Sequence, residues 1–235
     1  MKLRFIGTGS MQSKNCNSSI MIDNILFDIG NGVVRQLDIS NIDLSSIDYL
    51  VITHFHGDHF LDLPNLLLSR SFRKVLNKLT IIGPVGIRNK TIELMRFSFG
   101  DGVKDYNDID EKYNVTFIEL NPDAELLVND KPLKAYKLKH ANNVEELGYV
   151  YDNKIAYLVD TTICDNYNEI CKNTEYVISD VTDLETSTVH VGLNDYAKIA
   201  EAYPNNKFYA IHRNTYSTEN VKNVYFPSDN YEINV

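Results

Sequence analysis

The chain of 235 residues has a formal net charge of −9 and a sequence pI of about 5.1. This acidic balance argues against a broad basic surface that neutralises nucleic-acid phosphates, although it allows a local anion site. Hydrophobic residues make up 43% of the chain, which is enough for the core of one domain. We therefore expect residues 1–235 to form a single domain.

Neither a membrane span nor a signal peptide is predicted. The longest apolar runs, such as residues 49–52, are far shorter than the ~20 residues that a membrane-spanning helix needs. A glycine turn follows residues 1–6 before any long apolar region could form. Cys16, Cys164 and Cys171 lack Cys-x-x-Cys spacing, so neither a disulfide framework nor a thiolate metal site is expected. These features favour a reduced, cytoplasmic protein.

The first half of the chain predicts short strands, turns and helices in alternation. Strands are expected at residues 3–6, 19–22, 25–27, 49–53 and 79–82, from their apolar, β-branched and aromatic content. Helices are expected at residues 33–37, 61–75 and 86–99. The almost entirely apolar strand at 49–53 is typical of a buried strand, and it ends where a run of histidines begins.

The second half repeats this order. Strands are expected at residues 114–119, 133–139, 147–151, 154–159, 175–179 and 207–211. Helices are expected near residues 164–171 and 193–202. Runs of strands closed by a helix, occurring twice, favour two packed sheets with helices outside.

The segment His-Phe-His-Gly-Asp-His at residues 54–59 carries the strongest functional signal. Imidazole and carboxylate groups suit zinc, iron or manganese. In an extended turn, His54 and His56 can point the same way and bind one ion. Gly57 then allows a sharp turn that brings Asp58 and His59 to a neighbouring position. A polar loop with coincidental histidines is the alternative, but the chain has only six histidines and three of them lie here.

Six residues cannot enclose two ions, so further ligands must come from elsewhere in the chain. His140, Asp160 and His212 each lie just past the C-terminal end of a predicted strand, where ligands can converge on one rim. Taken alone, each is more typical of a polar loop. Taken together with the first motif, they favour a metal site.

Further segments match the motifs of a known family over nearly the whole chain. They are residues 5–10, 26–30, 53–59, 63–67, 82–87, 140, 157–161 and 211–212. Over these segments the chain resembles hydrolases of the metallo-β-lactamase fold, in the branch that contains ribonuclease Z, the tRNA 3′-processing endonuclease. The resemblance implies an α/β, four-layer αββα sandwich of two mixed sheets with helices outside and a metal site at one edge.

The resemblance also implies two divalent metal ions. It assigns His54, His56 and His140 to the first ion, Asp58, His59 and His212 to the second, and Asp160 as a bridge. Zinc is the default for such a histidine-rich site, with manganese and iron as alternatives. Asp28 matches a motif aspartate that supports the ligands from outside the metal site, and its alternative interpretation is a turn-forming Asp before glycine.

His190 matches, by position, a ribonuclease Z histidine that lies before a late helix and assists the leaving group. Asp180 stands where that family has a glutamate partner. A carboxylate partner raises the fraction of an imidazole that can donate a proton near neutral pH. A loop histidine ahead of the helix at 193–202 is the alternative. The family's Ser/Thr-rich tail after this histidine is replaced here by Val191 and Gly192.

The implied reaction is hydrolysis by a hydroxide that bridges the two ions, with Asp58 orienting it and His190 protonating the leaving group. A late proton donor helps a poor alkoxide leaving group most, so we expect a small-molecule or nucleotide phosphodiester as substrate. Ribonuclease Z inserts a long tRNA-gripping arm between the counterparts of His140 and Asp160. Only 19 residues separate them here, and this spacing, with the acidic charge, argues against tRNA.

Other functions use the same fold. A carbon ester or thioester hydrolase, such as a lactonase or a glyoxalase-II-like enzyme, shares the ligand set. Penicillin hydrolysis and di-iron redox chemistry fit less well, because the expected cysteine ligand and flavin domain are lacking. A non-catalytic binding module would have no use for a complete two-ion ligand set. Relatives tend to dimerise, so a homodimer is an open expectation, and Arg70, Arg73 and Arg213 are candidates for contacting a substrate anion.

Overall fold

The computed structural model describes residues 1–100, 108–141, 146–214 and 221–235. These residues divide into two compact units. The first comprises Met1–Gly7, Cys16–Glu119 and Asp229–Val235, and the second comprises Thr8–Asn15 and Leu120–Ser228. Two seven-stranded mixed sheets are present, as expected from the two runs of strands. That residues 1–235 form a single domain stays a prediction.

The first unit is built on one sheet. Its strands are β1 (Lys2–Gly7), β2 (Ser19–Ile22), β3 (Ile25–Phe27), β4 (Tyr49–Val51), β5 (Leu79–Pro84), β6 (Val115–Leu120) and, from the end of the chain, β14 (Glu232–Asn234). Their order is β14-β1-β2-β3-β4-β5-β6. The edge formed by β14, β1, β2 and β3 is antiparallel, whereas β3, β4 and β5 run parallel.

The described residues of this unit include five α-helices. They are α1 (Val33–Ile39), α2 (Gly57–Phe60), α3 (Leu63–Phe72), α4 (Ile87–Phe99) and α5 (Ile109–Lys112), with a short 3-10 helix at Leu44–Ser46. The helix predicted at 61–75 is α3, which is shorter at both ends, and the short helix α2 precedes it. Pro64 lies in the first turn of α3, where its missing N–H costs no hydrogen bond. Side chains from the helices and the sheet, including Leu26, Leu37 and Leu66, form one buried apolar cluster.

The second unit has the other sheet. Its strands are β7 (Glu125–Val128), β8 (Lys131–Lys137), β9 (Leu147–Tyr151), β10 (Ile155–Leu158), β11 (Tyr176–Asp180), β12 (Lys207–Ile211) and β13 (Val224–Tyr225). The order is β13-β12-β11-β10-β9-β8-β7, antiparallel from β7 to β10 and parallel from β10 to β13. Helices α6 (Asp165–Asn173) and α7 (Leu193–Ala202) complete the unit, and their apolar faces join the buried cluster of Val177, Tyr196 and Phe208.

The parallel strands explain where the predicted site residues lie. In the second unit, β10, β11 and β12 pair in register from Ile155 to Ile211, so their C-terminal ends reach the same edge of the sheet. Asp160 and His212 lie just beyond two of these ends, and Asp180 is the last residue of the third. In the first unit, the histidine segment follows β4 in the same way.

Two other expectations concern the chain as a whole. Over the residues that the structure describes, no helix has both the length and the apolar character needed to cross a membrane. Cys16, Cys164 and Cys171 all lie in described segments and form no disulfide.

Candidate metal centre

The histidine segment of the first unit forms a tight cluster after β4. The ring of His54 lies 4.6 Å from that of His56 and 4.5 Å from that of His59, measured between centroids. Nε2 of His59 is 3.6 Å from Oδ2 of Asp58. His54, Asp58 and His59 are buried, and His56 is half-buried. The four side chains therefore offer imidazole nitrogens and a carboxylate within a small volume.

Asp28 fixes the orientation of two of these histidines. Its fully buried carboxylate accepts a hydrogen bond from Nδ1 of His59 at 2.9 Å and from the hydroxyl of Thr53 at 2.9 Å. The same Thr53 hydroxyl accepts a hydrogen bond from Nδ1 of His54 at 3.0 Å. Asp28 also anchors the backbone, because the Thr53 N–H donates to it at 2.8 Å. These contacts place Asp28 where it can orient His54 and His59, and its supporting role at a metal site stays a prediction.

The glycine that shapes this segment is Gly30 rather than Gly57. The chain turns from an extended His56 into helix α2, which starts at Gly57, but the φ of Gly57 lies outside the left-handed region, so this turn does not depend on a conformation that favours glycine. At Gly30, an added Cβ would lie 1.7 Å from the backbone oxygen of Asp58. The N–H of Ile29 donates to the carbonyl of His59 at 2.8 Å. Close backbone approach at Gly30 thus holds the ligand segment against the Asp28 loop.

In the second unit, the Asp160 carboxylate lies between two histidines. Its Oδ2 is 3.6 Å from Nε2 of His140, and its Oδ1 is 3.2 Å from Nε2 of His212. Asp160 and His212 both have left-handed backbone conformations, with φ of 54° and 52°. Such non-glycine conformations cost about 1–3 kcal/mol each and tend to cluster at functional sites. The two carboxylate oxygens thus face two different imidazoles, as a bridging ligand requires.

The histidines of this unit are also held through Nδ1. Nδ1 of His140 donates to the carbonyl of Val189 at 3.0 Å, and Nδ1 of His212 lies 3.2 Å from the hydroxyl of Thr182. A carbonyl or carboxylate only accepts hydrogen bonds, so neutral His140 and His59 carry their proton on Nδ1 and leave an Nε2 lone pair available. Metal-ligating histidines are oriented in this way, so the donor set fits divalent ions.

His190 and Asp180 form the pair predicted from the sequence. Nδ1 of His190 donates to Oδ2 of Asp180 at 2.9 Å. Burial raises the pKa of the fully buried Asp180 to about 6, although the hydrogen bond from His190 acts in the opposite direction. The His190 ring stacks on that of His212 at a centroid distance of 5.4 Å. One donor atom each from Asp160, Asp180, His190 and His212 lies within 4.8 Å of the others, so His190 is close enough to the assigned ligands for either metal binding or proton transfer.

The three arginines suggested as anion contacts are engaged elsewhere. Arg70 is buried and donates to the carbonyls of Leu44, Ile47 and Asn77, so its role is structural. Arg73 forms a bidentate ion pair with Asp38, with nitrogen–oxygen distances of 2.6 and 2.7 Å. The Arg213 guanidinium donates to the carbonyl of Pro227 and lies over the ring of Phe226.

Sequence reasoning missed the groups that orient the ligands. Thr53 precedes His54 directly, and Thr182 follows β11, but a single threonine beside a strand end carries no distinctive signal. The carbonyl of Val189 is invisible in a sequence, because every residue has one. Gly30 had a weak signal, since it lies in a motif segment two residues after Asp28.

Comparisons with known proteins agree with this fold. The family described as Anti-Pycsar protein Apyc1 matches residues 1–226. The ribonuclease Z of Staphylococcus epidermidis is 27% identical over 292 aligned positions, which cover 96% of this chain and 92% of that protein.

Two solved structures share the fold. A diphosphatase of the PhnP family has a TM-score of 0.78 at 17% identity, with 100% of this chain and 97% of that chain covered. The short form of human tRNase Z has a TM-score of 0.75 at 22% identity, with 100% and 99% covered. These likenesses confirm the predicted fold class. Together with the ribonuclease Z relative, they agree with the predicted assignment to metal-binding hydrolases. The chain therefore belongs to the Anti-Pycsar protein Apyc1 family and has the metallo-β-lactamase fold, with ribonuclease Z among the proteins that it is similar to.

Proposed function

We propose that the chain is a metal-dependent phosphodiesterase with a dinuclear site, acting on a small or nucleotide-like phosphodiester. The observation that supports this most is the Asp160 carboxylate, whose two oxygens face Nε2 of His140 and Nε2 of His212 separately. His54, His56 and His140 would bind one ion, and Asp58, His59 and His212 the other, with Asp160 shared. Zinc is the first candidate, with manganese and iron as alternatives.

When bound, two divalent ions supply a water with a pKa lowered towards neutrality and positive charge for the phosphate oxygens. The chain's own residues would orient the water and protonate the leaving group. Asp58 would orient the attacking water through its carboxylate. His190 would donate a proton from Nε2 to the departing alkoxide, while Asp180 holds the ring through Nδ1 and stabilises its protonated form.

The names of the relatives favour phosphate esters over carbon esters. One is a ribonuclease, and another is a diphosphatase that has this fold. A lactonase or thioesterase remains the alternative, because it uses the same ligand set. Between His140 and Asp160, the described residues form the β9–β10 hairpin, which supports a small substrate over tRNA. Residence in the cytoplasm and a homodimeric state are further predictions.

The test is a substrate panel on protein loaded separately with zinc, manganese or iron. The panel contains bis(p-nitrophenyl) phosphate, a dinucleotide, a cyclic nucleotide, a tRNA precursor, a lactone and a thioester. We expect turnover of small diesters, and about two metal ions per chain by elemental analysis, as in two-metal sites. Rapid thioester hydrolysis with untouched diesters would show that the alternative is right, and efficient 3′ processing of the tRNA precursor would restore the ribonuclease Z function. An Asp160→Ala variant, which lacks the shared ligand, should lose both metal and activity.

A further inference from the structure

The second unit contains a cavity of about 500 Å³. Its lining residues are Lys139, His140, Thr162, Ile163, Ser187, Thr188 and Val189. This volume lies within the range of about 300–1,000 Å³ that is usual for small-molecule sites. One of the lining residues, His140, is an assigned metal ligand, so the cavity, which we call the Lys139 pocket, borders the proposed reaction centre.

Hydrogen bonds between three chain segments hold the walls of this pocket. The hydroxyl of Thr162 donates to the carbonyl of Ser187 at 3.1 Å, and the Thr162 N–H donates to the carbonyl of Lys139 at 2.8 Å. Nδ1 of His140 donates to the carbonyl of Val189 at 3.0 Å. Ser187 stabilises its own loop by accepting the N–H of His190 at 2.9 Å. The segments after β8 and β10 and the loop before α7 therefore form a cavity whose walls are held together by hydrogen bonds.

The charge of the pocket is opposite to that of the chain. Among the residues that the structure describes, its lining includes one lysine and no aspartate or glutamate, although the chain has a net charge of −9. Lys139 is exposed, and no carboxylate of the described residues lies within ion-pair distance of its ammonium group. Arg213, the cation directly after the assigned ligand His212, is engaged with the Pro227 carbonyl and the Phe226 ring. A cation in a cavity that lacks carboxylates is suited to bind an anion.

We propose that the Lys139 pocket binds the substrate and that the Lys139 ammonium contacts a negatively charged substrate oxygen. This inference rests on the proposed function. Two oxygens have the required chemistry: a non-bridging oxygen of the scissile phosphate, and an oxygen of a second anionic group on the ester arm that enters the pocket. The hydroxyls of Ser187 and Thr188 add polar contacts for that arm, and Ile163 and Val189 supply apolar surface.

Two p-nitrophenyl diesters distinguish these two possible partners of the Lys139 ammonium. In one, the second ester arm is phenyl, and in the other it is 4-carboxyphenyl, so only the latter carries an additional anion. The variants are Lys139→Met, which removes the charge, and Lys139→Arg, which retains it. Lys137→Met is the matched control, because Lys137 is an exposed lysine on β8 outside the lining. Melting temperatures check that the variants fold, and we expect little change at these exposed positions.

Loss of one charge-assisted hydrogen bond should lower kcat/KM of Lys139→Met by roughly tenfold. An equal loss with both diesters identifies the scissile phosphate as the partner of Lys139. A loss greater with the carboxylated diester identifies the second anion. Lys139→Arg should keep most of the activity, and Lys137→Met should match the wild type. If Lys139→Met matches the wild type on both diesters, the proposal is overturned while the proposed function stands.

Failure of the proposed function has a different outcome, namely wild-type protein that hydrolyses neither diester. Calorimetric binding then decides the role of Lys139 without turnover. Metal-loaded wild type and Lys139→Met are titrated with phenyl phosphate and 4-carboxyphenyl phosphate. Roughly tenfold weaker binding to the variant supports the anion contact, and equal binding by the two proteins rejects it.

Discussion

Asp28 accepts a hydrogen bond from Nδ1 of His59 at 2.9 Å, and both side chains are completely buried. Through the Thr53 hydroxyl, the same carboxylate also reaches Nδ1 of His54. The family resemblance assigns His54 and His59 to different ions. One carboxylate that binds no metal in this assignment therefore orients a ligand of each ion.

Replacing Asp28 with asparagine should weaken metal binding by roughly 10- to 100-fold, the usual effect of losing such an outer partner. The amide keeps an acceptor oxygen and tolerates the φ of 57° that Asp28 adopts, but it lacks the charge that stabilises the Nδ1–H of His59. Competition with a chromophoric chelator measures the affinity. Asp43→Asn, at an exposed position in the first unit, is the control. Unchanged affinity in Asp28→Asn would contradict the role given to this carboxylate.

Thr53 offers a finer test of the same network. Thr53→Val keeps the shape of the side chain but removes the acceptor for Nδ1 of His54 and one donor to Asp28, so metal affinity should fall by roughly tenfold or more. Thr53→Ser retains the hydroxyl and should bind metal nearly as well as the wild type. The comparison separates hydrogen bonding from packing, because both variants preserve a small buried side chain. Equal affinities for the two variants would show that the hydroxyl has no effect on His54.

Gly30 should be intolerant of any side chain. The Cβ of Gly30→Ala would lie 1.7 Å from the backbone oxygen of Asp58, so the histidine segment must move. We expect a loss of about 1–3 kcal/mol in the free energy of unfolding, as in overpacked interiors, and weaker metal binding. Gly86→Ala is a suitable control, because Gly86 has a φ of 92° and no heavy atom within 4 Å of the added Cβ. Gly86→Ala should lower stability through backbone strain alone and leave metal affinity unchanged, as denaturant unfolding and chelator competition can show.

The sequence predicts the positions of the ligands better than their supports. Apolar strands end at predictable places, and β10 and β12 deliver Asp160 and His212 within a residue or two of the expected boundaries. The Nδ1 partners depend on tertiary contacts that no local pattern records. The Val189 carbonyl meets His140 across 49 residues, for example.

The fold was predictable to a similar degree. Strands of the sheet interiors were found because their apolar runs are continuous. The strands β7, β13 and β14 were missed, since they are short or partly exposed and their pairing depends on distant partners. The sequence predicted a role for Gly57 because this glycine lies inside the metal motif. The glycine that the packing requires is Gly30, which is 28 residues away from Asp58 in sequence.

For His190, the sequence predicts a proton donor, and its closeness to Asp160 and His212 adds a second possible role, that of a metal ligand. As a donor, its Nε2 gives a proton to the leaving group, while Asp180 holds Nδ1 at 2.9 Å. His190→Ala should then retain its metal and lose roughly 10²- to 10⁴-fold in kcat on a diester with an alkoxide leaving group. The loss should be much smaller with p-nitrophenolate, which departs without protonation.

The rate of the wild type on the alkoxide substrate should fall as the pH rises and the imidazole loses its proton, and this alkaline decline should disappear in the variant. Asp180→Asn should shift the same decline to lower pH, because the imidazolium loses its anionic partner. Equal losses on both leaving groups, together with metal content reduced in His190→Ala, would instead make His190 a ligand.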